Sequence, residues 1–378
     1  MPGTVTTAQS AAMESLDIQR QRAALDFLAR GEELTIGDPA TLPWPDEALA
    51  ALRADAPGVE ATHANGLTGV VHKLRVGAQA YAVKCARRPC LVQNTDGQTS
   101  FLNELLRHRE LEALRAAGVE LPGIVRPLYG SLRHGLIVSP WIEGPTLQAF
   151  DERTLRQVLT AGRLLCEHGF FEWDFSAGNM VDDGRQVWLF DFGYMYRYDP
   201  LTQFNTAGDG RSAPEFHLAE RIETRHAFGW LLGIERSRGP AAALSHFSLV
   251  KRLALEAYRQ MRRNLAARGA STQVLSWLDG ICAGWSSALA DASQLQALYL
   301  REAWRSHTAD LDDDLRGRTC TRRTLDRADW LIDQAVHQHA RLSASGALHG
   351  ADASLGAREL ADKVRAQRQT AEGYLVDA

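Results

Sequence analysis

A chain of 378 residues with 45% hydrophobic content can bury a large core, enough for two lobes with extensions. Its net charge of −4 and pI near 6.3 supply no dominant basic field, so nucleic acid is not the expected main partner. No apolar run is long enough to span a bilayer, no basic-then-apolar leader opens the chain, and Cys85, Cys90, Cys166, Cys282 and Cys320 form no C-x-x-C pair; the expectation is a cytoplasmic protein with reduced thiols.

Residues 1–58 read as an extension, with one helix near Met13 to Arg30 and a connector through Pro43 and Pro45. Residues 59–143 read as a strand-rich lobe with one helix. Asn65-Gly66-Leu67-Thr68-Gly69-Val70 leads into a hairpin that turns at Arg75-Val76-Gly77-Ala78. Gly66 and Gly69 would let backbone amides approach a phosphate closely, although an ordinary hairpin loop also explains them. In the next strand, Tyr81-Ala82-Val83-Lys84-Cys85, Lys84 breaks the apolar pattern. Phe101 to Ala117 carries Leu102, Leu105, Leu106, Leu111 and Leu114 at helical spacing, ends at Gly118, and offers Glu104, Glu110 and Glu112. Leu136 to Ser139 reads as a buried strand running into the connector Pro140-Trp141-Ile142-Glu143-Gly144.

From about residue 144 the pattern turns helical, beginning with Leu147 to His168. The stretch His168 to Gly193, HGFFEWDFSAGNMVDDGRQVWLFDFG, is the most informative in the chain. Met180-Val181 begins a short strand, Asp182-Asp183-Gly184 is a turn, and Val187 to Phe190 is a second apolar run. Such a hairpin holds Asn179 at the start of one strand and Asp191 at the end of the other. With Asp174 they are three oxygen-bearing side chains able to surround a metal-bound triphosphate.

Asp174 lies five residues before Asn179, and Asp191-Phe192-Gly193 follows. Upstream stands a lysine on a Y-A-V-K strand, and downstream come Ala213-Pro214-Glu215 and the apolar run Ala227-Phe228-Gly229-Trp230-Leu231-Leu232. In this order the chain resembles the protein-kinase-like superfamily, which includes protein kinases and the aminoglycoside- and choline-type small-molecule phosphotransferases, over roughly Val59 to Gly233. The resemblance implies an α+β, bilobal fold: a small antiparallel β-rich lobe (59–143), a helical lobe core (144–240) and a helical remainder (241–378). It implies ATP and Mg2+ as cofactors, with Lys84 on the α- and β-phosphates, Asp174 as base, and Asn179 and Asp191 as metal ligands. Glu110, with Leu114 four residues on, is the first choice of partner for Lys84. Glu104, nearer the usual sequence distance from the lysine, is the second. Gly66 and Gly69 would cover the phosphates, and Trp141 would sit in the hinge against the adenine.

Two departures stand out. Glu172 occupies the position of the family's histidine two residues before the base, with Trp173 between, and the full G-x-G-x-x-G is absent. Because Lys84, Asp174, Asn179 and Asp191 are all present, the expected activity is transfer of the γ-phosphoryl group to a hydroxyl acceptor. A small molecule is the first reading, a Ser/Thr-type protein kinase the second, and a nucleotide-binding pseudokinase scaffold the third.

The rest reads as helices over Ala242 to Arg268, Thr272 to Ala290, Ser293 to Arg305 and Arg322 to Leu342, then a link from Ser343 to Gly356 and a last helix. Trp277, Trp285, Tyr299 and Trp304, or Asp310, Asp312, Asp313 and Asp314, could wall an acceptor pocket. The plainer reading assigns the aromatics to helix seams and the acids to a solvated loop or helix start.

Overall fold

In the computed structural model, which describes residues 15–212, 214 and 216–376, an N-terminal antiparallel sheet is followed by a largely helical region. The N-terminal lobe comprises α1 (Leu16–Ala29), β1 (Thr35–Gly37), α2 (Asp46–Ala50), β2 (Val59–His63), β3 (Gly69–Val76), β4 (Gln79–Ala86), α3 (Thr95–Ala116), β5 (Tyr129–Ser131) and β6 (Leu136–Pro140). Its six strands run in the order β1-β5-β6-β4-β3-β2, every pair antiparallel. The extension therefore contributes to this lobe directly: β1 is an edge strand of the sheet, and Leu49 of α2 is fully buried in the core.

Strand alternation decides what each face of the sheet carries. Tyr81 and Val83 turn to one face and join Leu49, Leu74, Tyr129, Leu136 and Val138. Lys84, next in β4, turns to the other face, directly opposite Ile137 of β6. Ile137 packs there with Leu34, Ile36, Leu102 and Leu105, the last two from α3. The same two-residue period that buries Val83 thus aims Lys84 at α3. That helix starts where the Asn94 side chain accepts the Gly97 amide at 2.8 Å.

Gly144, at φ +151, lies in the connector out of β6, where a Cβ would sit 2.2 Å from the Asp182 carbonyl oxygen. The helical region then begins with α4 (Glu152–Glu167), later than the expected Leu147, because Asp151 and Thr154 form a capping box. β7 (Phe170–Glu172), β8 (Met180–Asp182), β9 (Val187–Leu189) and β10 (Met195–Arg197) follow, with β8 paired to β9 and β7 to β10. Next come α5 (Leu218–Ile222), a π-helical turn (Glu223–Ala227), α6 (Phe228–Arg238), α7 (Pro240–Ala267), α8 (Thr272–Ala290), α9 (Ala292–Gly317), α10 (Arg322–His337), α11 (His339–Ala344) and α12 (Ala357–Glu372).

One apolar core runs from Leu111 through α4 to Val364 of α12. No break in packing marks residue 240, so the helical remainder is built onto the lobe core. Trp285 and Trp304 are buried within it, the seam role expected of them. Five cysteines are free, and no helix among the described residues is long and apolar enough to cross a membrane.

Candidate active site

The β8–β9 hairpin is held from its turn outward. Asp182 Oδ1 accepts the Gly184 amide at 3.0 Å, and Asp183 Oδ1 accepts the amides of Arg185 and Gln186 at 2.8 and 2.7 Å. At its open end the Phe190 amide donates to the Asn179 carbonyl at 3.2 Å, which ties the two flanks together. Asp191 follows at φ +64, a left-handed backbone that costs a non-glycine residue about 1 kcal/mol or more. Its neighbours fix that conformation. Phe192 is buried edge-on against the His108 ring of α3, at 5.4 Å between centroids. The buried Asn103 side-chain amide, also from α3, donates to the carbonyls of Phe192, Gly193 and Met195 at 3.3, 2.9 and 2.8 Å.

Lys84 meets two carboxylates. Its Nζ lies 2.7 Å from Glu104 Oε2 and 2.7 Å from Asp191 Oδ1. Burial works against the lysine's charge, but Asp191 and Glu104 together outweigh it and hold the ammonium above its usual range. Burial pushes Glu104 up to about 7, with Lys84 opposing and Asp191 adding repulsion. One cation thus serves two anions, and the more buried anion bears the strain. Burial also holds His108, one helical turn from Glu104, down at about 3, so it is a neutral wall of the pair.

Glu104 is therefore the partner of Lys84, and the first-choice Glu110 is not. Six residues beyond Glu104, Glu110 stands ~9 Å further along the helix and ~120° around it. It faces Arg107, 3.0 Å away, and Arg197 at 4.0 Å. The Glu-then-Leu pattern that favoured Glu110 identified a helix face but not the face that looks at the sheet.

Asp174, which follows β7 by two residues, is gripped on both oxygens. Asn179 Nδ2 donates to Oδ2 at 3.0 Å and to the Asp174 carbonyl at 3.2 Å. Arg225, from the π-helical turn, donates through Nε to Oδ1 at 3.2 Å. Burial opposes the charge of Arg225, but Asp174 and Asp310 exceed that effect and raise its pKa. Glu172 accepts the Asp174 backbone amide at 2.7 Å. Burial holds the Glu172 carboxyl well above the ordinary range; repulsion from Asp174 and Asp191 adds to this, and the accepted amide opposes it. Trp173 donates its ring N–H to Thr206 at 2.8 Å and packs edge-on against Phe171 and Phe216. The two unexpected residues before Asp174 thus anchor the segment that carries it.

The remaining expected residues are placed as follows. A Cβ on Gly69 would come within 3.2 Å of Lys84 Cε, and one on Gly66 within 2.7 Å of the Gly69 carbonyl, so the loop folds closely over the lysine stem. Arg87 holds it by donating to the Gly66 carbonyl at 2.7 Å. Trp141 is half-buried, stacked on His63 at 5.9 Å, with Lys73 Nζ 5.1 Å from its ring centre. Its ring is engaged under β2 and β3, and its backbone amide donates to Ala80 of β4 at 2.9 Å. Of Ala213-Pro214-Glu215, the alanine and the glutamate lie outside the described residues.

The acidic cluster differs from its expectation. Helix α9 continues to Gly317, so Asp310, Asp312, Asp313 and Asp314 fall in its last turns rather than in a loop. Asp310 is buried, 2.6 Å from Arg327 NH2 and 3.7 Å from Arg225 NH1. Burial raises it to about 6, with the two arginines pulling the other way. Periodicity could not reveal this, because the neutralising charges come from two other elements. Asn103 carried a faint signal, an amide inside a helix where such residues are disfavoured. Arg225 carried none.

A scan of the sequence against protein-family models and a search of curated proteins both gave no match. Among solved structures, the chain is similar to the bifunctional kinase-methyltransferase WbdD, at 15% identity and a TM-score of 0.32, over 56% of this chain and 52% of that one. It thus spans about half the length of that structure.

Proposed function

We propose that the chain is an ATP- and magnesium-dependent phosphotransferase that moves the γ-phosphoryl group to a hydroxyl acceptor, with a small molecule as the favoured acceptor. The observation that carries this reading is the convergence of Lys84, Glu104 and Asp191 at 2.7 Å, beside an Asp174–Asn179 pair at 3.0 Å. Four of these residues match the family pattern in kind and order, and Glu104 supplies the carboxylate that orients the lysine.

The oxygen set suits magnesium. Asn179 spends its amide N–H groups on Asp174, and its Oδ1 meets no donor among the described residues. Asp191 has a second carboxylate oxygen outside the Lys84 contact. Hard, neutral and anionic oxygens of this kind are what magnesium takes alongside phosphate. When bound, the ion would neutralise charge that develops as the γ-phosphoryl group leaves.

The rest falls to the chain. Lys84, oriented by Glu104, donates to the phosphate tail, and the Gly66–Gly69 loop lies against its stem. Asp174 positions the acceptor hydroxyl and takes its proton on a carboxylate oxygen. Trp141 would wall the nucleotide end with the part of its ring that is not stacked on His63. The cytoplasm, where free cysteines persist, is the proposed setting.

Labelled ATP incubated with the protein alone and with cell extract tests the reading. Label in a small-molecule product other than ATP and inorganic phosphate, lost in Asp191→Ala, is the expected result. Label on protein bands would favour the protein-kinase reading, and label in neither kind of product would leave a nucleotide-binding scaffold.

A further inference from the structure

Asp174 needs a fixed side-chain direction, and its backbone contact with Glu172 does not supply one. The direction is set by two donors on two different oxygens, Asn179 at 3.0 Å and Arg225 at 3.2 Å. With a single donor a carboxylate can still pivot; with two it cannot. Asn179 is also a proposed metal ligand, whereas Arg225 has no other assignment in the site.

Arg225 is delivered by an unusual piece of backbone. Glu223–Ala227 is a π-helical turn between α5 and α6, a rare arrangement found mostly as single turns within helices and frequently at functional sites. The turn is fastened on both sides. Thr224 donates to Glu220 at 2.7 Å. Glu223 takes the fully buried Lys251 of α7 at 2.6 Å, and Lys251 reaches Glu302 of α9 at 2.5 Å. Behind Arg225 stands Asp310 of α9, and behind that Arg327 of α10. Charges of alternating sign therefore lead from Asp174 through Arg225, Asp310 and Arg327 into the helices after residue 240.

An exposed arginine–carboxylate pair would be worth little, since a long side chain in water holds no geometry. Here the anchor is buried, with the Asp310 side chain 5% exposed and that of Arg327 10%, while Arg225 keeps 33% at the site end. We propose that Arg225 is a positioning residue for Asp174, held by Asp310 and Arg327, so that α9 and α10 set the orientation of the base. This rests on the phosphotransferase reading. It also gives the helical remainder a role in the chemistry, and divides the task expected of a histidine at position 172 between Glu172, which anchors the Asp174 backbone, and Arg225, which directs its side chain.

The test uses the full-length protein with MgATP and water as the acceptor, measuring phosphate release. Arg225→Gln should lower kcat at least about tenfold, with the KM for ATP within about twofold and the melting temperature unchanged, as expected when a reacting group is misplaced but binding is not. Arg225→Lys should recover part of the loss, since an ammonium can still donate to Asp174, and Asp310→Asn should change kcat in the same direction as Arg225→Gln. Turnover by Arg225→Gln equal to or above wild type would overturn the proposal. So would a loss accompanied by a raised KM and a lowered melting temperature, with Arg225→Lys no better than Arg225→Gln, because that pattern marks a structural residue. Wild-type protein that is stabilised by MgATP but releases no phosphate would overturn this assignment, and one that is not stabilised either would overturn the phosphotransferase reading with it.

Discussion

Asn103 joins the helix that carries Glu104 to the segment that carries Asp191, and its replacement has a cost that can be worked out. Its side-chain amide offers two hydrogens to three buried carbonyls, with good bonds to Gly193 and Met195 at 2.9 and 2.8 Å and a longer one to Phe192 at 3.3 Å. Each satisfied bond is worth about 1 kcal/mol net, and each buried carbonyl left without a donor costs about 1–3 kcal/mol. Asn103→Ala removes two good bonds and leaves their acceptors buried, so a loss of roughly 2–4 kcal/mol is expected, a large share of a domain's stability. Asn103→Asp keeps the shape but turns donors into acceptors facing three carbonyls, and should destabilise at least as much. Urea denaturation monitored by tryptophan fluorescence measures both. Because the link also holds Asp191 in its left-handed conformation, MgATP should stabilise Asn103→Ala less than wild type. A stability for Asn103→Ala within about 0.5 kcal/mol of wild type would refute the reasoning, since surface substitutions alone give changes that small.

Two further substitutions separate neighbouring alternatives. Glu104→Gln should weaken MgATP-induced stabilisation and slow phosphoryl transfer, while Glu110→Gln, whose contacts are Arg107 and Arg197, should leave both near wild type; the reverse ranking in a thermal-shift and turnover assay would restore the first-choice pairing. Glu172→Gln keeps an oxygen to accept the Asp174 amide and removes a carboxyl held well above its ordinary pKa by burial. A raised carboxyl contributes stability that is present below about 4.5 and is lost as pH rises toward its folded value, so wild type and Glu172→Gln should match at pH 4 and the variant should gain steadily above pH 5. A variant that loses ground above pH 5 would mean that Glu172 is stabilised as an anion.

Much of the site could be read from the chain because its parts are local. The hairpin between Asn179 and Asp191 follows from apolar runs and an Asp-Asp-Gly turn within thirteen residues, and the direction of Lys84 follows from strand alternation. Helix starts were less legible where a cap decides them, as Asp151 does for α4. What could not be read depends on contacts between distant segments. The choice between Glu104 and Glu110 is a rotation of ~120° about α3, fixed by Ile137 and Leu105 packing across the sheet. The burial of Asp310 depends on Arg225, 85 positions earlier, and on Arg327 in the next helix. In the one-dimensional pattern those aspartates are an acidic run; only the fold supplies their counter-charges.

The central claim is that Lys84, Glu104 and Asp191 hold a magnesium-bound nucleotide, and thermal unfolding with and without MgATP tests it most directly. A ligand at 100 times its dissociation constant stabilises the folded state by about 2.7 kcal/mol, which raises the melting temperature by several degrees. The wild-type protein should show that rise with millimolar MgATP, less of it with ATP and a chelator, and none in Lys84→Met or Asp191→Ala. A wild-type melting temperature unmoved by millimolar MgATP, or moved equally in both variants, would contradict the account.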